Sequence, residues 1–286
     1  MADTKIEWAD ATFNPITGCT PISEGCEHCY AKRMATRLAG RYGYPADDPF
    51  RVTVHWDRIE EPLHWVKSRR IFVCSMGDLF HNDVPLNVTK DIFDVMRQAG
   101  NLYGHTFMVL TKRPKRMAEF IDLLQRDKGP DFRRWPLPFV WLGVTAENQA
   151  RADERIPILL QIPAAVRFVS IEPMLGPIST RIHTPITGPG SPQPAAPPSW
   201  NVIDTLTRYN GTQDHKGRGA GHVGPKLGWV ICGGETGPGA RPMELSWARD
   251  LRDQCKASGV PFFFKKVAGK RETPEDLNIR EVPTHA

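Results

Sequence analysis

The chain has 286 residues, of which 40% are apolar and 24% are charged, the usual balance for a soluble globular protein. This length allows one large α/β domain or two small ones, and no signal peptide or membrane-spanning run is visible, so we expect a cytoplasmic protein. A net charge of +5 is too small for a dedicated DNA-coating protein but is compatible with a polyanionic partner.

The first predicted elements surround a cysteine-rich loop. An apolar strand over residues 6–13 leads into that loop, and a helix over residues 30–38 follows it and ends before Gly40. A short extended segment over residues 52–56 and a helix over residues 60–67 come next. We therefore expect the first strand to deliver the loop to its own carboxyl end.

Beyond residue 70, short apolar runs alternate with helical patterns. The predicted strands lie at residues 71–74, 107–110, 140–144, 166–171, 229–232 and 261–264. The predicted helices between them lie at residues 88–98, 116–125, 150–161 and 246–257. This alternation favours parallel pairing with right-handed crossovers. With the two earlier strands the count reaches eight, so the sequence predicts a complete or partial (βα) TIM-type barrel in a single domain over residues 1–286.

Residues 183–226 interrupt the alternation. They are rich in proline and glycine, and we interpret them as a surface insertion between strands six and seven, in the form of a mobile loop or a lid. His215 and His222 within it are predicted to be exposed and not metal ligands, because no cluster of ligand residues surrounds them.

The cysteine loop carries Cys19, Cys26 and Cys29. Two cysteines separated by two residues can present thiolates to one metal centre, and a third can complete three corners of the site. A structural zinc would need a fourth ligand, and His28 between two of the cysteines would point away from a shared ion. Three thiolates on an iron-sulfur cluster instead leave one iron open for a substrate or cofactor. A zinc site completed by a distant residue and plain reduced cysteines remain alternatives, and the other three cysteines are predicted to be buried thiols in a reducing compartment.

The motif around these cysteines is Asn14-Pro-x-x-Gly-Cys followed by Gly25-Cys-x-x-Cys-Tyr-Ala. It resembles the cluster loop of radical S-adenosylmethionine (SAM) enzymes, particularly the spore-photoproduct-lyase-like branch. The chain looks most similar to a bacteriophage- and prophage-associated three-Cys-motif family, whose members carry segments like residues 75–80, 171–173 and 233–235. Six residues separate Cys19 from Cys26 where the common form has three, and a flexible loop lengthens at little entropic cost.

This resemblance implies a function. By it, the three cysteines would hold a [4Fe-4S] cluster whose open iron chelates the amino and carboxylate groups of SAM. Reductive cleavage would then yield a 5′-deoxyadenosyl radical that abstracts hydrogen from a substrate, with a nucleic-acid base or lesion as a candidate. The resemblance also implies an external electron donor of the flavodoxin or ferredoxin type.

Polar residues follow most of the predicted strands, and active sites of parallel barrels lie at the carboxyl ends of strands. The residues are Ser75, Gly77, Asp78 and His81; Thr111, Lys112 and Arg113; Thr145, Glu147 and Asn148; Glu172; Gly233, Gly234 and Glu235; and Lys265 and Lys266. Any one carboxylate alone could be a helix cap or an ion-pair partner. Their recurrence at successive strand ends favours a shared site.

Gly233, Gly234 and Glu235 are the most informative of these residues, because glycines let backbone approach a ligand and a carboxylate can receive an ammonium group. In radical SAM enzymes a similar Gly-Gly-Glu holds the amine of SAM after an early strand; here it follows a late strand, so a substrate role is equally open. The candidate cofactor-binding residues are Ser75, Asp78, Thr145, Glu172, Gly233, Gly234 and Glu235. The candidate catalytic residues are Asp78, Lys112 and Glu172.

Four cations within residues 111–116 predict either a solvated helix entrance or a phosphate site, which Lys265 and Lys266 would strengthen. Arg241 is a candidate for holding a carboxylate or phosphate. Phe80, Trp141 and Trp247 could stack on a base or lie in the core. Two other functional classes stay open, namely a zinc-stabilised, non-catalytic nucleic-acid-binding protein and an enzyme that uses a cluster without SAM.

Overall fold

The computed structural model describes residues 4, 6–126, 135–185, 200–207, 209–213, 221–269 and 271–284. The strands are β1 Ala11–Phe13, β2 Ile16–Thr17, β3 Thr53–Val54, β4 Arg70–Val73, β5 Thr106–Thr111, β6 Val140–Thr145, β7 Arg167–Ile171, β8 Arg181–Pro185, β9 Trp200–Asp204, β10 Tyr209–Gln213, β11 Gly221–Val223, β12 Trp229–Cys232 and β13 Phe262–Phe264. The helices are α1 Tyr30–Arg37, α2 Leu86–Tyr103, α3 Pro114–Arg126, α4 Gln149–Gln161 and α5 Leu245–Ala257.

The main sheet has seven parallel strands in the order β1-β4-β5-β6-β7-β12-β13. It curls into a half-barrel surrounded by helices, and β1 and β13 are its edge strands. The alternation of strands and helices therefore predicted the parallel sheet correctly. The fold is an α/β partial barrel.

Both faces of the central strands are buried. In β6, Val140, Leu142 and Val144 pack in the outer cluster with the helices, whereas Trp141 packs inside the curl and Thr145 lines a cavity there. A strand that is covered on both faces reads as a continuous apolar run, which is why these segments were recognisable in the sequence.

Of the predicted alternatives, a complete or a partial barrel, the structure has the partial one, because the extended segment at residues 52–56 does not join the main sheet. It forms β3, which pairs antiparallel with β2 in a separate two-stranded sheet beside the cysteine loop. Its β-branched residues suit any sheet, so the sequence pattern could not name the partner strand. The helix predicted over residues 60–67 is wrong, since only a short 3-10 turn forms at Glu61–His64. A segment this short cannot offset the cost of helix nucleation without extensive packing.

The other five helix predictions are confirmed within a few residues as α1 to α5. The insertion lies between β7 and β12, the sixth and seventh predicted strands of the barrel, but its described part is not a plain loop. There, β8 to β11 form an antiparallel sheet in the order β11-β10-β9-β8. Residues 186–199, 208 and 214–220, including His215, lie outside the described part of the chain.

The carboxyl-terminal segment covers the β13 edge of the sheet. Phe264 N donates to Ile279 O at 2.9 Å, and Glu281 N donates to Phe262 O at 3.2 Å. The Trp229 indole donates to Glu281 O at 2.9 Å, which ties this segment to the inner cluster. The inner cluster is the buried group inside the curl of the sheet, formed by Trp8, Ala9, Met108, Trp141, Phe168, Trp229, Ile231 and Phe263. Among the residues that the structure describes, no helix is long and apolar enough to cross a membrane.

Candidate functional site

A cavity of about 410 Å³ opens at the carboxyl ends of the strands of the half-barrel. Its walls carry the predicted residues Cys19, Cys26, Cys29, Ser75, Asp78, Lys112, Thr145, Glu172, Gly234 and Glu235. Gly233 lies directly behind this wall, where a side chain would meet Glu172 Oε1 at 3.1 Å. The structure therefore brings together groups that were predicted separately, because the ends of parallel strands meet at one edge.

The cysteine loop, residues 19–29, is set by a glycine before it and a helix after it. Gly18 has φ +84°, and a Cβ atom there would lie 2.2 Å from Arg51 O, so only glycine fits. Gly18 N donates to Met76 O at 2.9 Å, which joins the start of the loop to the turn after β4. Cys29 caps the start of α1 at the other end.

Arg113 anchors the first part of the loop. Its Nη1 donates to Asp78 Oδ2 at 2.9 Å and approaches Cys19 Sγ at 3.3 Å, while Nη2 donates to Thr20 O at 3.0 Å. Asp78 is buried and also accepts the Thr111 hydroxyl at 2.7 Å. Burial and the Asp78 charge raise the pKa of the Cys19 thiol to about 11, and Arg113 opposes that rise. Arg113 is thus the cation that favours a thiolate at Cys19.

Glu147 anchors the middle of the loop from a fully buried position at the end of β6. Its Oε1 accepts the Ser23 hydroxyl at 2.7 Å and lies 2.8 Å from Lys112 Nζ, while Arg155 Nη1 donates to Oε2 at 3.0 Å. Burial pushes the pKa of Glu147 up, but Lys112 and Arg155 outweigh it and the net pKa is lowered. A Cβ atom on Gly25 would lie 2.4 Å from this carboxylate, so the loop backbone rests directly on it.

Glu235 anchors the last part of the loop. Arg241 donates to it through Nη2 at 2.6 Å and Nε at 3.0 Å, and the His28 ring contacts Oε2 at 2.9 Å. Arg241 also donates to Glu27 at 2.9 Å. Burial opposes ionisation, but the Arg241 and His28 hydrogen bonds dominate and lower the pKa of Glu235 to about 2. Arg241 therefore occupies both oxygens of Glu235, and both residues also contact the cysteine loop. The side chain that was predicted to bind an anion is already paired within the protein.

Glu172 is the cavity carboxylate with the fewest protein partners. Its Oε1 pairs with Lys265 Nζ at 3.0 Å, and its Oε2 accepts the Ser170 hydroxyl at 3.1 Å. Within the described residues, no carboxylate pairs with Lys266, which lines the same cavity. Lys265 and Lys266 line the same cavity as Lys112, and the phosphate site stays a prediction.

Tyr30 lies across the cavity beside Cys29. Its hydroxyl donates to Ser75 O, and desolvation of the hydroxyl raises its pKa to about 12, although the ring remains nearly half exposed. Ser75 in turn donates its hydroxyl to Asn14 Oδ1 at 3.1 Å. Among the described residues, the Thr145 hydroxyl makes no hydrogen bond to another side chain, so it is available to a ligand in the cavity.

The three loop cysteines are unpaired, partly buried and lie around one cavity. In the described part of the chain, no group of three or more His, Cys, Asp and Glu side chains is gathered as for a single metal ion. A tetrahedral zinc would need a fourth ligand beside the three thiols. An iron-sulfur cluster is larger and takes each thiolate at a separate corner. The three free thiols line one cavity, and they match a three-thiolate cluster site in ligand type and number.

Arg155 and Ser23 are site residues that the sequence analysis missed. Arg155 is 1% exposed and lies on the apolar face of α4 with Ala152, Ile156 and Leu159. An arginine on an apolar helix face is rarely buried without an ionic partner, so this position was a usable signal. Ser23 carried no comparable signal, because its role depends on a carboxylate 124 residues away.

The aromatic residues considered for base stacking lie mainly in the core. Phe80 and Trp141 are each 1% exposed, and Trp247 packs against the outer cluster. Cys74, Cys232 and Cys255 are buried and unpaired, which confirms the prediction for them.

The fold and the site define an α/β protein with a parallel half-barrel and a cysteine-lined cavity at the strand ends. The model of a family described as a protein of unknown function, DUF5131, matches residues 3–280. The match spans nearly the whole sequence, and the chain belongs to this family. No curated protein and no solved structure matches the chain.

Proposed function

We propose that this protein is a radical SAM-type iron-sulfur enzyme. The observation that carries the proposal is the position of Cys19, Cys26 and Cys29 around one cavity at the carboxyl ends of a parallel half-barrel. Three thiolates satisfy three corners of a cluster and leave the fourth for a cofactor. The resemblance of the loop motif to radical SAM enzymes supports the same assignment.

In this proposal the chain holds the cluster and positions its ligands. Bound there, a [4Fe-4S] cluster with SAM would supply reductive cleavage of SAM to a 5′-deoxyadenosyl radical. Cys19, Cys26 and Cys29 provide the thiolates, and Arg113 donates to Cys19 from 3.3 Å. Asp78, Glu147 and Glu235 hold the loop through their anchoring contacts.

Glu172 is the best candidate to receive the amino group of SAM. Glu235 has both oxygens occupied by Arg241 and His28, whereas Glu172 meets one lysine and one hydroxyl. A bound ammonium group could replace the flexible Lys265 at Glu172 without leaving a buried charge unpaired. Ser75 and Thr145 are placed in the same cavity to bind polar groups of the cofactor.

Lys112 serves the site indirectly in this proposal, because its ammonium group is paired with the buried Glu147. Lys266 remains available at the mouth for a phosphate, which is consistent with a nucleic-acid base or lesion as the substrate. An external one-electron donor of the flavodoxin or ferredoxin class would supply the electron.

Anaerobic reconstitution tests the proposal. The full chain should turn brown and bind about four irons per chain. With dithionite and SAM it should release 5′-deoxyadenosine. Cys26→Ala should lose both properties, whereas Cys255→Ala should keep them, because Cys255 is buried in α5 away from the loop.

Three results would contradict the proposal in different ways. Iron binding that is unchanged in Cys26→Ala would remove the cluster assignment. One equivalent of zinc in aerobically purified protein, with no iron after reconstitution, would favour the non-catalytic nucleic-acid binder. A cluster without SAM binding in calorimetry would favour an enzyme that does not use SAM.

A further inference from the structure

Cys19 differs from the other two loop cysteines because its sulfur contacts a charged side chain. Arg113 Nη1 donates a hydrogen bond to Cys19 Sγ at 3.3 Å, from a position 94 residues further along the chain. Among the residues that the structure describes, neither Cys26 nor Cys29 accepts a hydrogen bond from a lysine or an arginine, and Cys26 Sγ lies 3.7 Å from the Ser23 hydroxyl instead. The three candidate ligands are therefore electrostatically unequal.

The Arg113 guanidinium is fixed in this position by four hydrogen bonds. Nη1 donates to Cys19 Sγ and to Asp78 Oδ2, and Nη2 donates to Thr20 O at 3.0 Å and to Thr20 Oγ1 at 3.1 Å. The side chain is only 10% exposed. The guanidinium cannot turn away from the sulfur without breaking several of these bonds, and the ammonium group of a lysine could not replace all of them.

Asp78 holds the same guanidinium nitrogen and is itself fixed. Its Oδ1 accepts from Phe80 N at 3.0 Å and from the Thr111 hydroxyl at 2.7 Å, while its Oδ2 accepts from Arg113 at 2.9 Å. The residue is 5% exposed, so solvent ions screen its charge weakly. One nitrogen of a fixed cation therefore contacts both the Cys19 sulfur and a fixed anion.

We propose that Arg113 and Asp78 set the reduction potential of the iron-sulfur site, in opposite directions. Hydrogen bonds to the ligand sulfurs and the local net charge determine how readily such a site accepts an electron. One electron from the external donor adds one negative charge beside Cys19 and changes no covalent bond of the protein. Arg113 attracts this added charge and raises the potential, whereas Asp78 repels it and lowers the potential.

The inference rests on the proposed function for the presence of the cluster, and it adds the residues that regulate reduction at that site. Arg113 acts through Cys19, so it is a positioning residue and not a catalytic one. An unmodified chain that binds no iron would overturn the proposed function and this inference together. An unmodified chain that binds iron, with variants that keep its potential, would overturn this inference alone.

A redox titration of the reconstituted full chain, followed by visible absorbance without SAM, measures the midpoint potential. Arg113→Gln removes the cation and keeps a polar side chain. Its reduction equilibrium should weaken about tenfold, which lowers the potential by about 59 mV for one electron. Asp78→Asn leaves the cation without its counter-charge, so the potential of this variant should rise.

A surface pair on the same helix supplies the matched controls. Arg126 pairs with Asp122 at 2.8 Å near the far end of α3, and their side chains are 75% and 56% exposed. Arg126→Gln and Asp122→Asn repeat the two substitutions at that pair. Both controls should keep the potential of the unmodified chain, because solvent screens exposed charges that are distant from the cysteine loop.

The sign of the shifts separates an electrostatic role from a structural one, because Arg113→Gln and Asp78→Asn break the same ion pair. Arg113→Lys keeps the charge but not the planar fork, so its potential should lie between those of the unmodified chain and Arg113→Gln. Unchanged potentials, or shifts of the same sign in Arg113→Gln and Asp78→Asn, would overturn the proposal.

Retention of iron decides the remaining cases. If Arg113→Gln does not retain iron, a lowered potential in Arg113→Lys together with a raised one in Asp78→Asn supports the proposal, and any other combination overturns it. Loss of iron from all three variants would make the Arg113–Asp78 pair a structural support of the loop only, which would also overturn the proposal.

Discussion

Asp78, Glu147 and Glu235 follow the ends of strands and hold the cysteine loop in place through ion pairs and hydrogen bonds. Each contacts a basic side chain, and each is connected to the cysteine loop through that side chain or directly. Their burial makes these contacts strong determinants of geometry, since removing one partner leaves an uncompensated charge. At the scale of single residues, the site is therefore held mainly by paired charges.

Arg113 provides the first prediction. Arg113→Met should lower the free energy of unfolding by about 3 kcal/mol, because it leaves the buried Asp78 carboxylate without its ionic partner. Urea denaturation measures the change. The exposed control Arg126→Met, which breaks only a surface pair with Asp122, should cost less than about 1 kcal/mol.

A double variant checks this interpretation of Arg113. If the cost arises from the unpaired carboxylate, Asp78→Asn combined with Arg113→Met should cost much less than the sum of the two single substitutions. Strict additivity would mean that the Arg113–Asp78 pair does not stabilise the loop.

His55 provides a prediction on pH. It is buried, its Nε2 lies 2.7 Å from the Thr17 hydroxyl beneath the cysteine loop, and desolvation with the nearby Arg58 lowers its pKa from 6.5 to about 4. Between these values the unfolded chain binds more protons than the folded one. The free energy of unfolding should therefore rise with pH from about 4 to 6.5, by up to about 3 kcal/mol from this residue.

Urea denaturation at several pH values across this window measures the His55 contribution. His55→Gln can keep a hydrogen bond to Thr17 but cannot titrate, so its stability should depend less on pH than that of the unmodified chain. His64→Gln is the matched control, because His64 is exposed. Equal pH dependence in all three proteins would show that His55 does not stay neutral on folding.

At the scale of elements, the cysteine loop depends on backbone approach as much as on side chains. Gly18 meets Arg51 O, and Gly25 rests against the buried Glu147 carboxylate. A close approach to backbone cannot be relieved by a rotamer change, whereas one to a side chain sometimes can. Gly18 is therefore the stricter of the two requirements.

Gly18→Ala tests that requirement against a matched glycine. Gly259 also has positive φ, +62°, but a Cβ atom there would meet nothing within 4 Å. Gly259→Ala should cost only the left-handed backbone penalty, about 1–2 kcal/mol. Gly18→Ala should cost clearly more in thermal or urea denaturation and should reduce iron retention. Equal costs would mean that the loop has room to move away from Arg51.

At the scale of the whole molecule, the half-barrel leaves a gap between β1 and β13 that the chain termini help to cover. Arg280 pairs with Glu7 at 3.0 Å and donates to Lys265 O at 3.0 Å. Its guanidinium also lies 5.2 Å from the Phe263 ring centroid. Arg280 thus connects Glu7, which precedes β1, with Phe263 and Lys265 at β13, on the other side of the gap.

Removal of residues 279–286 tests this closure. The truncation removes five hydrogen bonds to Phe262, Phe264 and Trp229, and at about 1 kcal/mol each it should cost about 5 kcal/mol. Near-ultraviolet circular dichroism should also change, since Trp229 loses its partner. Removal of residues 285–286 alone is the control. Equal stability of the two truncated chains would show that the terminal segment does not close the sheet.

Local pattern was sufficient to predict much of this protein. The buried parallel strands and the helices α1 to α5 were visible as apolar runs and helical periodicity, because both faces of such strands are covered. The candidate ligands Cys19, Cys26 and Cys29 were visible from their spacing alone. The rule that parallel strands end at one edge predicted that Asp78, Glu172 and their neighbours would share a cavity.

The tertiary structure decided what spacing and periodicity do not encode. It placed residues 53–54 beside β2 and so reduced the barrel from eight strands to seven. It also paired Glu147 with Ser23, and Glu235 with His28, across 124 and 207 residues. A strand edge or a carboxylate has many possible partners, and the folded chain decides which of them lies close enough in space. A local sequence pattern carries no information about the spatial distance between residues that are far apart in the sequence.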